Sequence, residues 1–187
     1  GDAGAIPQFG SGSAVLRSGI SILGSSRGDQ VSAEIDGRGL FTSLLQAALE
    51  GGAADVLGKV TVASVYAYLT ELFSPWQQRP TFKANVDRPH DLRLCRPAVP
   101  TEMLRRLHRL FPTFDFEFRL DPSYEPDAEP RNPVHEADFA LLQRCRAAKL
   151  VEPVGEEHMY FAAMRSKSCV LTPLGHHYWR MADLDLL

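Results

Sequence analysis

The sequence lacks features that define several large classes of proteins. No histidine occurs before His90 and no cysteine before Cys95. The cysteines are odd in number and lack paired spacing, which argues against a disulfide framework and a zinc site; they are Cys95, Cys145 and Cys169. No apolar run approaches the roughly 20 residues needed to cross a bilayer, and no signal-peptide pattern is present. We therefore expect a soluble, cytoplasmic protein that uses no cofactor.

Two groups of residues carry potential metal ligands. His176 and His177 are adjacent, and neighbouring side chains on a helix point about 100° apart, so the pair does not easily share one ion. Four acidic residues occur in the proline-rich segment 121–133, but their spacing does not match a calcium-binding EF-hand. We interpret the histidines as a helix-surface pair and the acidic segment as an exposed loop.

Basic residues are slightly fewer than acidic ones. The chain has 20 Lys and Arg against 23 Asp and Glu. The whole difference lies in residues 99–187, which have 11 basic and 14 acidic residues, whereas residues 1–98 have nine of each. A net charge of −3 in the second half argues against a surface that binds phosphates. We therefore expect neither nucleic acid nor a membrane among the partners.

The most informative stretch follows a Gly- and Ser-rich lead-in, residues 1–14, which we predict to be flexible. Ile20, Ile22 and Leu23 form a short β-prone run that ends at small residues. Loops that leave the end of a buried strand carry function more often than the strand itself. The polar residues of this loop are Arg27, Asp29, Gln30 and Glu34.

The order of residues 19–42 resembles the small-subunit half of caspase-like cysteine peptidases, particularly bacterial, metacaspase-type members. The shared elements are a strand, the run Ser-Arg-x-Asp-Gln-x-Ser-Ala-Glu, and Gly-x-Gly-Leu-Phe-Thr at the start of a helix. The resemblance covers residues 15–95. It implies that the loop forms a wall of the substrate cleft, with substrate-binding residues Ser25, Ser26, Arg27, Asp29 and Gln30. An unrelated strand-loop-helix unit with a solvated loop is the alternative.

The resembled family places its catalytic histidine and cysteine before the strand at Ile20, where this chain has neither. The resemblance therefore implies no catalytic residue in this chain and a companion fragment, upstream of Gly1, that carries both. The first half contains only two clear strands and two helices, which would leave a sheet edge and an apolar face bare. We therefore expect the α/β fold of residues 15–98 to be the C-terminal half of a caspase-like sandwich, completed by that fragment.

Apolar residues at helical spacing predict two helices in this half. One covers residues 40–49 and ends at Gly51 and Gly52, and the other runs from Thr61 to Phe73. We also predict a helix stop at Pro75, a strand over 81–86 and a linker over 87–100. Trp76 and residues 77–80 either line a substrate groove or pack against the domain.

Residues 99–187 are predicted to form a second, small α+β domain. Residues 102–110 have helical spacing, whereas Phe114, Phe116 and Phe118 alternate with charged residues, as in a half-buried strand. A helix over 134–149 follows the acidic loop. After it we predict a strand at 150–154, a wing over 155–168, a strand from Cys169, and a last helix opened by Leu-Thr-x-x-Gly.

This order of elements, over residues 134–182, resembles a winged-helix domain. Winged helices commonly bind DNA through basic residues, and the candidates are Arg144, Arg146, Lys149, Arg165 and Lys167. The predicted wing, however, contains apolar residues that suit a protein contact better than a phosphate backbone. They are Met159, Tyr160, Phe161 and Met164. The sequence therefore favours a regulatory protein over nucleic acid as the partner of this domain.

The leading hypothesis is the small-subunit fragment of a caspase-like cysteine endopeptidase, fused to a winged-helix adaptor. Its partners would be the companion fragment, a protein or peptide substrate, and a regulatory protein. The metacaspase-type resemblance favours cleavage after a basic residue. A non-catalytic caspase-like scaffold is the main alternative, and a winged-helix DNA-binding regulator is the third.

Overall fold

The computed structural model of the chain describes residues 18–25, 34–35, 38–73, 80–87 and 90–187. The chain divides into two compact units, residues 1–96 and 97–187. Across the described ranges, helices are combined with small antiparallel sheets, so the general α/β class is confirmed. The predicted domain boundary after residue 98 lies two residues from the division between the units.

Several predictions concern residues outside the described ranges. They are the lead-in 1–14, the substrate-binding residues Ser26, Arg27, Asp29 and Gln30, the helix stop at Pro75, and Trp76 with residues 77–79 of the possible groove. These stay predictions.

The first unit contains short strands and two longer helical segments. Its elements are β1 (Ile20–Gly24), β2 (Glu34–Ile35), β3 (Arg38–Gly39), α1 (Leu40–Ala47), β4 (Lys59–Thr61), α2 (Val62–Phe73), β5 (Thr81–Asn85) and β6 (Asp91–Leu94). A π-helical turn, Ala48–Gly52, continues α1, and Gly51 in it has a φ of 124°, a conformation that favours glycine. Both predicted helices and the strands β1 and β5 are confirmed.

The start of α2 shows why the chain becomes helical at Thr61. The Thr61 Oγ1 accepts a hydrogen bond from the Ser64 amide at 3.1 Å, and the Ser64 Oγ accepts one from the Thr61 amide at 3.0 Å. This reciprocal pair satisfies amides that the first turn of a helix leaves without partners. One face of α2 then enters the core of the unit through Val65, Leu69 and Phe73.

The predicted linker over residues 87–100 is wrong in part, because β6 lies within it. β6 pairs antiparallel with β4, and Lys59 faces Leu94 across the pair. All four side chains of β6 are exposed. The strand is therefore held by backbone hydrogen bonds rather than by burial, and nearby prolines hid its short alternating pattern from the sequence argument.

The second unit has a three-stranded sheet covered by helices. Its elements are α3 (Thr101–Leu104), α4 (Leu107–Leu110), β7 (Phe118–Arg119), a 3₁₀ turn (Pro122–Tyr124), α5 (Pro133–Ala147), β8 (Val151–Val154), α6 (Met159–Met164), β9 (Ser168–Leu171) and α7 (Pro173–Asp183). The antiparallel sheet has the order β7-β9-β8. The helix over 134–149, the strands on either side of the predicted wing, and the last helix are confirmed.

Two predictions for residues 102–118 need correction. The predicted helix over 102–110 is two short helices, α3 and α4, separated by a turn at residues 105–106. The phenylalanine alternation is not a half-buried strand, because Phe114 is 56% exposed and only Phe118 belongs to β7. Phe114 instead lies edge-on against the ring of Trp179, with ring centroids 6.5 Å apart. Alternation alone did not distinguish a turn with surface aromatics from a strand.

The predicted wing over residues 155–168 is also wrong, since the helix α6 occupies its middle. Met159, Ala162 and Ala163 are the buried residues of α6, and their i, i+3, i+4 spacing fits one face of a helix. The wing prediction took the Met and aromatic residues of this segment for an exposed loop. Three of the six α6 residues are buried, and burial of that face stabilises a helix too short to be stable alone.

The helices α5 and α7 begin in the same way. Asn132 and Thr172 are the capping residues, each followed by a proline in the first turn. The Thr172 Oγ1 accepts the Gly175 amide at 3.0 Å. The core between α5, α7 and the sheet includes Phe139, Leu142, Leu150, Cys169 and Tyr178.

Gly175 permits the close approach of α7 to the start of β8, so we predict that Gly175→Ala destabilises the protein. An added Cβ would lie 3.0 Å from the Leu150 carbonyl carbon and closer still to its oxygen. Overpacking of this kind typically costs about 1–3 kcal/mol. Thermal denaturation of the full chain measures the effect, with the exposed residue His177→Ala as the control on the same helix. Equal melting temperatures for the two variants would contradict this account of the junction.

Candidate functional site

The predicted substrate loop begins at the end of β1. Ser25 follows that strand and is half-buried, whereas the other four residues proposed for the loop lie outside the described residues. The structure therefore supports only the position of the strand that leads into the loop. The arrangement of the five predicted substrate-binding residues stays a prediction.

The strand β1 is held through its neighbour β5. Leu23 faces Phe82 and Gly24 faces Thr81 across the antiparallel pair. The Phe82 ring stacks on the Tyr66 ring of α2, with centroids 5.0 Å apart. Aromatic pairs contribute beyond the area that they bury. This stack therefore anchors the β1–β5 pair, and with it the start of the loop, to α2.

A serine and a histidine come together in the second unit, and sequence reasoning missed the pair. The Ser123 Oγ lies 2.6 Å from the His135 Nδ1 and 2.5 Å from the Asp121 Oδ1. The His135 ring also stacks on Tyr124, with centroids 4.2 Å apart and planes 5° from parallel. A serine beside a histidine raises the question of a nucleophile and its base.

The direction of the hydrogen bonds answers that question. Hydrogen bonds from the Ser123 hydroxyl and amide lower the pKa of Asp121, so Asp121 is ionised at neutral pH and accepts the hydroxyl proton. A hydroxyl has one proton to donate, and the Ser123 hydroxyl donates it to Asp121. We therefore infer that the His135 Nδ1 donates to the Ser123 Oγ. A nucleophilic serine needs the opposite direction. The cluster is therefore structural, and Asp121 caps the 3₁₀ turn Pro122–Tyr124. Its signal in the sequence is an Asx-Pro pair, which begins both this turn and α5.

The cysteines do not have the surroundings of a nucleophile. Cys145 and Cys169 are fully buried, and burial raises the pKa of each thiol to about 12. Cys95 is half-buried, and its Sγ donates to the Leu49 carbonyl oxygen at 3.4 Å. All three thiols are free. A catalytic cysteine needs a lowered pKa and access to substrate.

Two of the basic residues proposed for DNA contact already make contacts within the unit. The Arg144 Nε donates to the Ala98 carbonyl oxygen at 2.7 Å, and Arg165 is bound to Glu156 at 2.9 Å. Arg146 and Lys149 line a groove beside α6. Two of the five candidates are thus committed to contacts within the unit, which weakens the DNA-binding interpretation.

The exposed face of α6 carries two aromatic side chains and a methionine. Tyr160, Phe161 and Met164, here called the α6 patch, are 48%, 41% and 44% exposed. Arg165 lies over the Phe161 ring, 5.1 Å from its centroid, and the Arg165 Nη1 contacts both carboxylate oxygens of Glu156 at 2.9 and 3.1 Å. Phe161 is therefore held in place although its ring is open to a partner.

The histidine pair on α7 makes separate ring contacts. His176 meets Phe114 edge-on at 5.5 Å, and His177 meets Tyr178 at 5.3 Å. Within the described ranges, no group of three or more His, Cys, Asp or Glu residues is arranged to hold a metal ion. No helix among the described residues is long and apolar enough to span a membrane.

Comparison with models of known protein families, with curated proteins and with solved structures finds no match for this chain. A functional interpretation therefore rests on the residues described above.

We predict that thiol reagents distinguish the cysteines. In the native protein at neutral pH only Cys95 should react readily, because the other two thiols are buried and protonated. Labelling with a chromogenic disulfide reagent should give one fast equivalent, which Cys95→Ser removes, and two more after denaturation. Rapid labelling of native Cys145 or Cys169 would show that the core opens.

The same thiols give the stability a pH dependence with a definite sign. Burial raises the pKa of Cys145 and Cys169 from the ordinary value of 9.0 to about 12 in the folded state. The folded protein therefore holds these protons more tightly than the unfolded chain. Their contribution to stability is complete below about pH 9 and is lost as the pH rises toward about 12. Changing either cysteine to alanine should flatten this alkaline loss in urea titrations.

Proposed function

We propose that residues 15–98 are the small-subunit half of a caspase-like cysteine endopeptidase and that residues 99–187 are a winged-helix-like unit that binds a protein. The observation that carries the peptidase proposal is the size of the sheets in the first unit. Among the described residues β1 pairs only with β5, in a two-stranded sheet. A strand pair of this size is marginally stable alone. The helix α2 packs on it through the Tyr66–Phe82 stack, and the proposal adds further strands from a companion fragment.

The companion fragment of the proposal would extend this sheet and supply the catalytic groups. In the resembled family a cysteine thiolate attacks the peptide carbonyl, a histidine acts as general base and then as general acid, and backbone amides hold the oxyanion. This chain would contribute a wall of the cleft through residues 25–30. The half-buried strand β1, which leads directly to Ser25, supports that role.

The second unit supports the protein-binding part of the proposal through the α6 patch. Aromatic residues and methionine are enriched at protein interfaces, and Phe161 is fixed by Arg165 before any partner arrives. The sheet β7-β9-β8 and the helices α5 and α7 support a winged-helix-like arrangement, although a helix replaces the wing. A non-catalytic scaffold would use the same patch, and it is the alternative function.

We predict that the peptidase, assembled from both fragments, cleaves after Arg or Lys. Asp29→Ala should then reduce kcat/KM for substrates with a basic residue at the cleavage position, because a carboxylate favours a cationic side chain. Arg27→Ala should leave that preference unchanged. Profiling on a peptide library measures both effects, with Glu71→Ala, an exposed acidic residue of α2, as the matched control.

Two other outcomes would change the roles given to Arg27 and Asp29 or the peptidase proposal itself. Strict cleavage after Asp, abolished by Arg27→Ala and unaffected by Asp29→Ala, would reverse the roles of the two residues. A correctly folded assembly that cleaves no library peptide would favour the scaffold over the peptidase.

A further inference from the structure

A groove runs between the end of α5 and the start of α6. Its volume is about 530 Å³, within the ~300–1,000 Å³ range of ligand-binding clefts. The polar and aromatic side chains that line it are Gln143, Arg146, Lys149, Glu157, His158 and Tyr160. The turn after α5 creates the groove, because Lys149 has a φ of 59° and the chain there reverses into β8.

The groove is locally cationic on a unit that is otherwise acidic. Arg146 and Lys149 are exposed, and neither forms an ion pair with any carboxylate of the described residues. Arg106, Arg131 and Arg165, by contrast, each contact an acidic side chain. The groove therefore leaves two positive charges for a ligand, opposed by the single carboxylate of Glu157.

The groove and the α6 patch adjoin each other. Tyr160 lines the groove, and its ring meets the Phe161 ring edge-on with centroids 5.3 Å apart. His158 also lines the groove, and its ring centroid lies 6.1 Å from that of Phe161. A ligand in the groove would thus reach the apolar surface of the patch within the length of a few residues.

We propose that this groove binds an acidic peptide segment of a partner protein, with carboxylates at Arg146 and Lys149 and a neighbouring apolar side chain on the α6 patch. The proposal rests on the proposed protein-binding function of residues 99–187 and specifies the chemistry of the partner. Complementary charge sets the orientation of such a segment and speeds its association. The ordered aromatic side chain supplies the apolar anchor.

A peptide fits this surface better than a nucleic acid does. A phosphate backbone would meet the carboxylate of Glu157 inside the groove and a net charge of −3 over residues 99–187. It would also leave Met164, which is 44% exposed, without an apolar contact. A short acidic segment can place its few charges on the two cations and turn its apolar residue to the patch.

The test uses the full chain and a random peptide library displayed on phage. We expect selected peptides to be enriched in Asp and Glu next to an aromatic or large aliphatic residue. The best peptide, made synthetically with a fluorescent label, then serves as the probe in anisotropy titrations. The double variant Arg146→Ala/Lys149→Ala should weaken its binding by about tenfold or more.

A matched control removes the same charge elsewhere on the unit. Lys167 and Arg180 are exposed cations that do not line the groove, so Lys167→Ala/Arg180→Ala should change the affinity by less than about twofold. Glu157→Gln should strengthen binding, because it removes the carboxylate that repels the ligand. Phe161→Ala should weaken it through loss of the anchor. Unchanged melting temperatures would show that each variant is folded.

The outcomes separate this inference from the function on which it rests. Selected peptides without acidic residues, whose binding depends on Phe161 but not on Arg146 and Lys149, would overturn the acidic-segment proposal and leave protein binding standing. Equal losses in the two double variants would also overturn it, because the effect would then be one of net charge. Failure to select any peptide, or tighter binding of duplex DNA with a steep dependence on salt, would overturn both proposals.

Discussion

The contact between α7 and Leu150 is the constraint on which the second unit depends. Leu150 is fully buried, its amide donates to the Cys145 carbonyl oxygen at 2.8 Å, and its own carbonyl oxygen accepts the Thr172 amide at 3.0 Å. The Thr172 Oγ1 also donates to the Lys149 carbonyl oxygen at 2.7 Å. One residue thus joins the end of α5, the start of β8 and the cap of α7, and the absence of a side chain at Gly175 lets these backbones meet.

The same junction produces the groove. Lys149 is in the left-handed conformation at the residue before Leu150, so the turn that buries Leu150 also places a lysine at the groove wall. β8 then runs antiparallel to β9, and residues 157–160 of the segment between them lie beside the end of α5. The helix α6 forms in that segment, and its first turn completes the groove. Core packing and the candidate site therefore share one physical cause.

Local signals explain which parts of this fold could be predicted. The helices α5 and α7 each combine a capping residue, a proline in the first turn and apolar residues at helical spacing, and all of these act within a few residues. β6 had no such signal, because its side chains are exposed and its pairing partner β4 lies more than 25 residues away in the sequence. Short strands held by backbone pairing alone leave little trace in composition.

The candidate site was predictable to the same limited extent. The sequence identified Arg146 and Lys149 as basic residues and Tyr160 and Phe161 as interface residues, but it assigned them to different partners. In the structure the turn at Lys149 brings these residues to one groove. Glu157 and His158 line the same groove, and the His158 ring adjoins the Phe161 ring. A groove made by the end of one helix and the start of another depends on the backbone that joins them, and periodicity does not encode that backbone.

Charge and apolar area have different effects at such a surface. Each exposed cation contributes on the order of 1 kcal/mol or less, since water partly screens it, and a carboxylate beside the pair reduces that contribution. An ordered, half-open phenylalanine contributes affinity but accepts almost any apolar residue. Where the two adjoin, a ligand must satisfy both at a fixed separation, and a ligand with only one of the two features loses the other contribution. Selectivity at the proposed site would thus arise because one ligand must meet both the two cations and the Phe161 ring, which lies under Arg165 and beside the Glu156–Arg165 ion pair.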